Sequence, residues 1–370
     1  MGSAGRRCRV GPHVKAAVYR RYGPPPDVVE IADVRKPMPR DNEVLIEVRA
    51  ASVNPLDAAL MGGHPYAFRL LSGLRKPKVT RIGVDVAGQV EAVGGKVTRF
   101  KPGDAVFGLS IRYPDVSGVK AWICQGAFAE YVCAPQSTVV LKPENVTFEQ
   151  AAAAPVASLT ALQGLRLGGL DPHRSTSGQI RPPRVLIHGA AGGVGTFAVQ
   201  IAKSFGAHVT GICGPRNVEL LRSIGADQAI DYTQVDITRE PPEPGHRYDL
   251  FFDCIGNHSL SACRRLLSAK GTYIAVGGPS SRWLIGLLIR PLQMLALSRL
   301  VGQKLLVLLA IPSQDDLLAI RGLMAEGEVT PVIDRCYGLR EVSEALRHHG
   351  TKHARGKVVI RPAPALLPTA

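Results

Sequence analysis

The stretch Val185-Leu186-Ile187-His188-Gly189-Ala190-Ala191-Gly192-Gly193-Val194-Gly195 decides how this chain is read. Three strand-favouring apolar residues and a histidine run into small residues, and a helical pattern follows over 194–205. Small residues at such a turn let the backbone approach a phosphate closely. The helix behind them offers N–H groups without partners and the positive end of its dipole. Read as G-x-G-x-x-G, the fingerprint has Ala190 in first position and Gly192 and Gly195 in the other two. Spacing alone is a weak signal, but a strand before and a helix after are the context a dinucleotide pyrophosphate needs.

Downstream the alternation continues, with strand patterns at 208–213, 228–231, 248–254 and 272–276 and helical ones at 217–224 and 260–267. This predicts βαβ units around a doubly wound parallel sheet, an α/β fold. An acidic residue about 20 positions past the glycines would hold a free adenosine ribose 2′-OH. Here the segment is Gly211-Ile212-Cys213-Gly214-Pro215-Arg216-Asn217, and no acid precedes Glu219. Arg216 offers charge-assisted bonds to a 2′-phosphate instead, so NADPH is expected, with NADH possible.

Upstream, from 15 to 142, short β-type runs are broken by glycine and proline: KAAVYR, EVLIEVRAASV, GVDVAGQVEAVG, DAVFG, GAFAEYVCAP and TVVLKP. They predict a barrel or sandwich. Thr147-Phe148-Glu149-Gln150 has the form of a capping box ahead of an alanine run, and Pro155 divides the helix that starts there from a second one reaching 167. A polar loop at 168–183 leads to the dinucleotide strand. Beyond it, the tail predicts a strand at 305–310, a helix at 314–325, strands near 329–333 and 357–360, and a helix near 340–348.

The 370 residues exceed the roughly 250 to 300 at which one core stops growing, so two domains with a cleft between them are expected. A hydrophobic share of 45% and a charged share of 20% exclude disordered, collagen-like and coiled-coil classes. The net charge of +15 could attract nucleic acid, anionic lipid or a phosphorylated ligand. Because the basic residues are scattered without an RNA-binding or helix-turn-helix signature, solubility is the plainer reading and nucleic acid is not expected as a partner. Cys8, Cys124, Cys133, Cys213, Cys254, Cys263 and Cys336 show no C-x-x-C spacing, which fits a reducing compartment, the cytoplasm. Residues 1–9 lack the apolar core of a secretory signal and read as a short extension. The most apolar stretch, 283–311, is interrupted by Arg290, Pro291, Arg299 and Lys304, short of the roughly 18 uncharged residues of a spanning helix. A buried helix followed by a strand is expected there, with an apolar wall for a lipophilic substrate, or loose membrane contact, as the alternative.

Val53-Asn54-Pro55-Leu56-Asp57, Gly83-Val84-Asp85-Val86-Ala87-Gly88, Gly126-Ala127-Phe128-Ala129-Glu130-Tyr131-Val132, the 189–195 loop and Arg355-Gly356-Lys357-Val358-Val359 occur in that order along nearly the whole chain. Together they resemble the medium-chain dehydrogenase/reductase superfamily, and within it the zinc-free quinone oxidoreductase (zeta-crystallin-like) branch. The resemblance implies a GroES-like β-barrel catalytic domain formed by 1–142 and 313–370, with a Rossmann cofactor domain inserted at 143–312. Zinc-containing relatives carry a cysteine where Asn54 stands and Gly-His-Glu where Gly83-Val84-Asp85 stands, and the four-cysteine structural zinc lobe is missing. His64, His348, His349 and His353 follow no ligand pattern, and the adjacent His348 and His349 suggest a solvated helix face. No zinc is therefore expected. Without a Lewis acid, quinones and α,β-unsaturated carbonyls are easier hydride acceptors than simple ketones, because conjugation spreads the developing charge.

By the same resemblance, Asn54 lies near the nicotinamide and positions the cofactor or donates to the acceptor oxygen. Asp57 beside it is a second candidate, its plainer role being to cap the helix after Pro55. Tyr66 is a candidate phenolic donor. Thr160 is assigned to the nicotinamide-phosphate region, Gly192, Gly193, Val194 and Gly195 to the pyrophosphate, Arg216 to the 2′-phosphate and Tyr232 to the adenosine end. Gly256, Val276 and Gly277 border the nicotinamide ribose, and Lys357 either reaches the cofactor or is a strand-edge charge. Relatives often carry serine or threonine where Cys213-Gly214 stand. The expected partners are a small lipophilic quinone or enone and a second copy of the chain, paired through Rossmann edge strands. The rival readings are metal-free alcohol or carbonyl oxidation and reduction, an NADPH-binding protein that also binds RNA, and membrane-linked quinone reduction.

Overall fold

The computed structural model describes residues 12–64, 66, 69, 73–112, 123–171, 181–239, 242–276, 284–298, 301–351 and 353–362. The chain enters on β1 (His13–Tyr19), passes a helical turn, α1 (Pro25–Val28), and returns antiparallel on β2 (Val29–Arg35). Next come β3 (Glu43–Ser52), α2 (Pro55–Gly62), β4 (Asp85–Val93), β5 (Ala105–Leu109), and the two-residue strands β6 (Ile111–Arg112) and β7 (Ile123–Cys124). β8 (Tyr131–Pro135) and β9 (Val139–Leu141) complete this half. β3 is the hub, pairing antiparallel with both β4 and β8, and β5 joins β4 to β9. Alternation along these strands sends Val44, Ile46, Val48, Val86, Val90, Val106 and Val132 into one core with the fully buried Phe128. Burial of each such side chain is worth roughly 1.5–3 kcal/mol.

The capping box at Thr147 forms as the sequence predicts: Gln150 N donates to Thr147 Oγ1 at 3.2 Å and Thr147 N to Gln150 Oε1 at 2.9 Å. It starts α3 (Phe148–Ala153), and Pro155 opens α4 (Pro155–Leu167). Most of the expected 168–183 loop lies outside the described residues. Strand and helix then alternate: β10 (Arg184–His188), α5 (Gly193–Ser204), β11 (His208–Cys213), α6 (Val218–Ser223), β12 (Gln228–Asp231), β13 (Tyr248–Asp253), α7 (Leu260–Arg265), β14 (Leu267–Val276), α8 (Leu284–Ser298) and β15 (Lys304–Leu308). The six strands form one wholly parallel sheet in the order β12-β11-β10-β13-β14-β15. Strand order reverses at β10, and in such sheets the crevice at that reversal is where a ligand binds. After α9 (Gln314–Ala325), β16 (Ile333–Gly338), α10 (Val342–Gly350) and β17 (Lys357–Arg361) return to the first sheet, where β17 pairs antiparallel with β3 and parallel with β16.

Three expectations are corrected. The strand expected near 329–333 begins instead at Ile333, because Pro331 has no N–H to give a ladder and Thr330 is held by the Gln200 side chain through both its N–H and its carbonyl. Helix α8 is not wholly buried: Met294 faces the core while Leu292 and Leu295 are more than half exposed. His348 and His349 do not sit on a solvated face. His348 Nε2 meets Asp334 Oδ2 at 2.6 Å, and burial together with the Lys357 charge brings His349 down to about 4.

Candidate active site

Two structures face each other at the end of the parallel sheet. The first is the dinucleotide cradle. At Gly195 an added Cβ would stand 2.2 Å from the Gly189 carbonyl oxygen, so only glycine lets α5 start this close to β10. The Gly193, Val194 and Gly195 N–H groups head that helix, where no intrahelical acceptor exists. Ala190, in the first fingerprint position, is fully buried against β11, its N–H bonded to Ile212 O. Ahead of the loop lies a cavity of about 590 Å³ lined by Gly192, Cys213, Arg216, Tyr232, His258 and Arg355 among others. Arg355 crosses from the other domain and donates to the Arg216 carbonyl at 3.2 Å, placing two guanidinium-bearing residues at the outer end of the cavity. Asp236 also lines it, but its Oδ1 accepts from the Thr238 N–H and hydroxyl, and its Oδ2 pairs with Arg239.

Under the cradle runs a polar network absent from the sequence reading. His188, the last residue of β10, places Nδ1 3.0 Å from Asp253 Oδ1. The same carboxylate accepts from Ile255 N, Gly256 N and the Tyr273 hydroxyl. Burial alone would raise this carboxyl, yet His188 and these donors outweigh it and bring it to about 2. Arg290 of α8 reaches in to bond Gly256 O, His258 O and the Tyr273 hydroxyl, and the His258 ring stacks on His188 at 5.1 Å. The result is a fixed 254–258 segment beside the cavity, Gly256 taking φ +72.

The second structure is a closed knot around Asn54. Pro55 opens α2, and Asp57 at its third position accepts from Asn54 N at 2.8 Å and Gly83 N at 3.2 Å. Burial pushes the Asp57 carboxyl up to about 7, with the Asp85 charge adding to the shift against the two backbone bonds and the Lys357 charge. Asp85, the first residue of β4, is fully buried. Its Oδ2 accepts from Ser52 Oγ and Asn54 Nδ2, and its Oδ1 from the Val156 N–H of α4. Lys357 Nζ, 4% exposed at the side chain, donates to Asn54 Oδ1 at 2.6 Å and Val53 O at 3.1 Å, and lies 3.4 Å from Asp85 Oδ2. Burial lowers the Lys357 ammonium from its ordinary value, opposed by the Asp85 and Asp57 charges.

The matching family models are an alcohol dehydrogenase GroES-like domain over residues 40–144 and a zinc-binding dehydrogenase over residues 224–360. Over 364 residues the chain is 32% identical to the chloroplast envelope quinone oxidoreductase homolog of Arabidopsis thaliana, covering 95% of this chain and 99% of that protein. The chain belongs to the medium-chain dehydrogenase/reductase superfamily. Within it the protein is quinone oxidoreductase-like, an NAD(P)H-dependent oxidoreductase with a GroES-like domain and a Rossmann domain. It is also similar to the NADPH-dependent alkenal/one oxidoreductase, chloroplastic, of A. thaliana, 32% identical over 95% of this chain and 80% of that protein. The solved quinone oxidoreductase of Coxiella burnetii matches with TM-score 0.77 and 29% identity, covering 95% of this chain and all of that one.

Against the sequence reading, the structure gathers Gly192, Cys213, Arg216 and Tyr232 at the cavity, and Asn54, Asp57 and Lys357 in the knot. Thr160 returns its hydroxyl to Val156 O within α4. Val276 ends β14, and Gly277 lies outside the described residues. Tyr66 is exposed, its ring edge against His64 and its face beneath Arg69. Two expectations change. The Asn54 amide has both ends engaged and is 2% exposed, so it is not free to donate to an acceptor oxygen. Lys357 is not a strand-edge charge, because β17 is flanked by strands on both sides. Among the described residues no three His, Cys, Asp or Glu side chains form a group that could hold a metal ion, and no helix is long and apolar enough to cross a membrane.

Proposed function

We propose that this protein transfers a hydride from NADPH to a quinone or an α,β-unsaturated carbonyl without a metal ion. The observation that carries the cofactor choice is the pair Arg216 and Arg355 at the outer end of the cavity, with Asp236, the acidic side chain among the described lining residues, already bonded to Thr238 and Arg239. Two guanidinium groups suit a 2′-phosphate, and the lining carboxylate, Asp236, is already engaged rather than offered to a 2′-OH. The dinucleotide fits the rest of the cradle: glycine backbone at 192–195 for the pyrophosphate, Tyr232 at the adenosine end, and the fixed 254–258 segment toward the ribose.

NADPH, when bound, supplies the hydride. The chain supplies orientation and the exclusion of water. The Asn54 amide is engaged at both ends and Asp57 accepts two backbone N–H groups, so both act as positioning residues in this reading. Conjugated acceptors suit such a site, because the charge that arrives with the hydride spreads over an enolate or hydroquinone oxygen. The names of the two plant relatives, a quinone oxidoreductase homolog and an alkenal/one oxidoreductase, support that acceptor class.

We also propose a homodimer through β15. It is an edge strand with Val307 exposed, and Leu309 and Ile311 just past its end, like Leu292 and Leu295 of α8, are exposed as well. The six described cysteines are free thiols, which supports a reducing compartment such as the cytoplasm. The test is cofactor oxidation followed at 340 nm with a small quinone, an enone and an aldehyde, each with and without a chelator. NADPH-preferring turnover of the quinone or enone that ignores the chelator is the expected result. Turnover confined to the aldehyde, or abolished by the chelator, would overturn the reading.

A further inference from the structure

Lys357 touches both structures of the cleft. Its stem runs along the phosphate loop: an added Cβ at Gly193 would stand 3.0 Å from Lys357 Cδ. The residue before it, Gly356, forms a bridge with Gly192 and donates to Ala191 O at 2.9 Å. Its ammonium ends in the knot, where Val53 O, Asn54 Oδ1 and Asp85 Oδ2 supply one oxygen for each of its three N–H groups.

The Asn54 amide is thereby wedged between a cation and an anion, its carbonyl end on Lys357 and its amino end on Asp85. The reverse orientation would set the amino group against the ammonium and the carbonyl against the carboxylate. Opposite charges on the two sides therefore leave the amide a single orientation. Asp85 is itself tied to α4 through Val156 N and to β3 through Ser52, so the setting of Lys357 is shared by the GroES-like sheet, the helix before the Rossmann sheet and the phosphate loop. Packing alone does not call for a lysine here, since an apolar side chain of equal length would fill the same channel beside Gly193 without a buried charge.

We propose, on the basis of the hydride-transfer reading above, that Lys357 is a positioning residue: its ammonium fixes the Asn54 amide and its stem sets the spacing between the Asn54 loop and the phosphate loop, without the ammonium touching the cofactor. Hydride transfer is sensitive to such spacing, a misplacement of about 1 Å being worth on the order of 100-fold in rate.

Three full-length proteins test this: wild type, Lys357→Met, which keeps the stem and loses the charge, and Lys357→Met with Asp85→Asn, which removes both buried charges so that the fold is not burdened with an unpaired carboxylate. Each is titrated with NADPH by fluorescence, the emission spectrum of the bound nicotinamide is recorded, and the reduction of 1,4-benzoquinone by bound NADPH is followed in a single turnover. The expected result for both variants is an NADPH Kd within about threefold of wild type, a shifted emission spectrum, and a transfer rate lower by on the order of 100-fold. A Kd that weakens by the same factor as the rate would make Lys357 a cofactor ligand and overturn the proposal. An unchanged rate and emission spectrum in the folded double variant would reduce Lys357 to a structural role, also overturning it. If wild type binds NADPH but reduces no quinone or enone, the proposed reaction fails, while the emission spectra still decide whether Lys357 positions the nicotinamide.

Discussion

The cradle and the knot solve opposite problems with opposite materials. The cradle is open, shaped by glycine backbone, and its charged groups, Arg216 foremost, face solvent. The knot is closed: Asn54, Asp57, Asp85 and Lys357 are each at most 4% exposed, and almost every polar atom has a partner inside the protein. An open cationic rim can recognise a phosphate that arrives from water. A closed network cannot bind anything further, but it holds its members within a narrow range of positions. Recognition and positioning are thus separate in this cleft, and changes in one region should leave the other's readout intact.

The largest expected effect is in the cradle backbone. Gly195→Val places side-chain atoms where even a Cβ would meet Gly189 O at 2.2 Å, and NADPH binding should be lost in a calorimetric titration; retained binding would mean that the pyrophosphate lies elsewhere. Next is the knot. Asp85→Ala strands a buried ammonium, and urea unfolding should show a loss of roughly 3–5 kcal/mol. A loss below about 1 kcal/mol would show that the knot is wet and weak.

Asp57 sharpens the comparison through pH. Its folded carboxyl titrates at about 7 against the ordinary 3.8 of an unfolded chain, so the folded state holds an extra proton between those values and stability declines as pH rises through that window. Asp57→Asn cannot ionise and should gain on wild type between pH 4 and 7 by up to about 4 kcal/mol, levelling off above. His349, lowered to about 4, works in the opposite direction in both proteins and cancels in the difference. A difference that stays constant with pH would contradict the burial of Asp57. The smallest expected effect is at the cradle rim. Arg216→Ala should weaken NADPH by about 10- to 100-fold, from roughly 1.5–3 kcal/mol for one charged bond, and leave NADH unchanged. Equal losses for both cofactors would remove the 2′-phosphate from this end.

What the sequence made legible follows from local chemistry. The 185–195 fingerprint, the capping box at Thr147 and the break at Pro155 are written in consecutive residues, and each forms as read. β2 carries little strand signal because its VEIADVR run is half-exposed and mixes charge with apolar residues. The knot was visible only in pieces. Asn54 and Asp57 stood out by motif, but Asp85 earned attention only as a missing zinc ligand, and nothing local says that Lys357, 303 residues from Asn54, ends against it. His188 and Asp253, 65 residues apart, are equally hidden from a reading of consecutive residues. A histidine closing an apolar strand, and an aspartate closing the parallel neighbour, are the signal that could have found them.

The account stands most directly on where the hydride comes from and whether a metal takes part. Metal-stripped protein loaded with NADPH deuterated at the transferring C4 position should reduce an enone in a single turnover, with deuterium at the β-carbon of the product and no change in rate when zinc is added. A product without deuterium, or turnover only after zinc is restored, would contradict it.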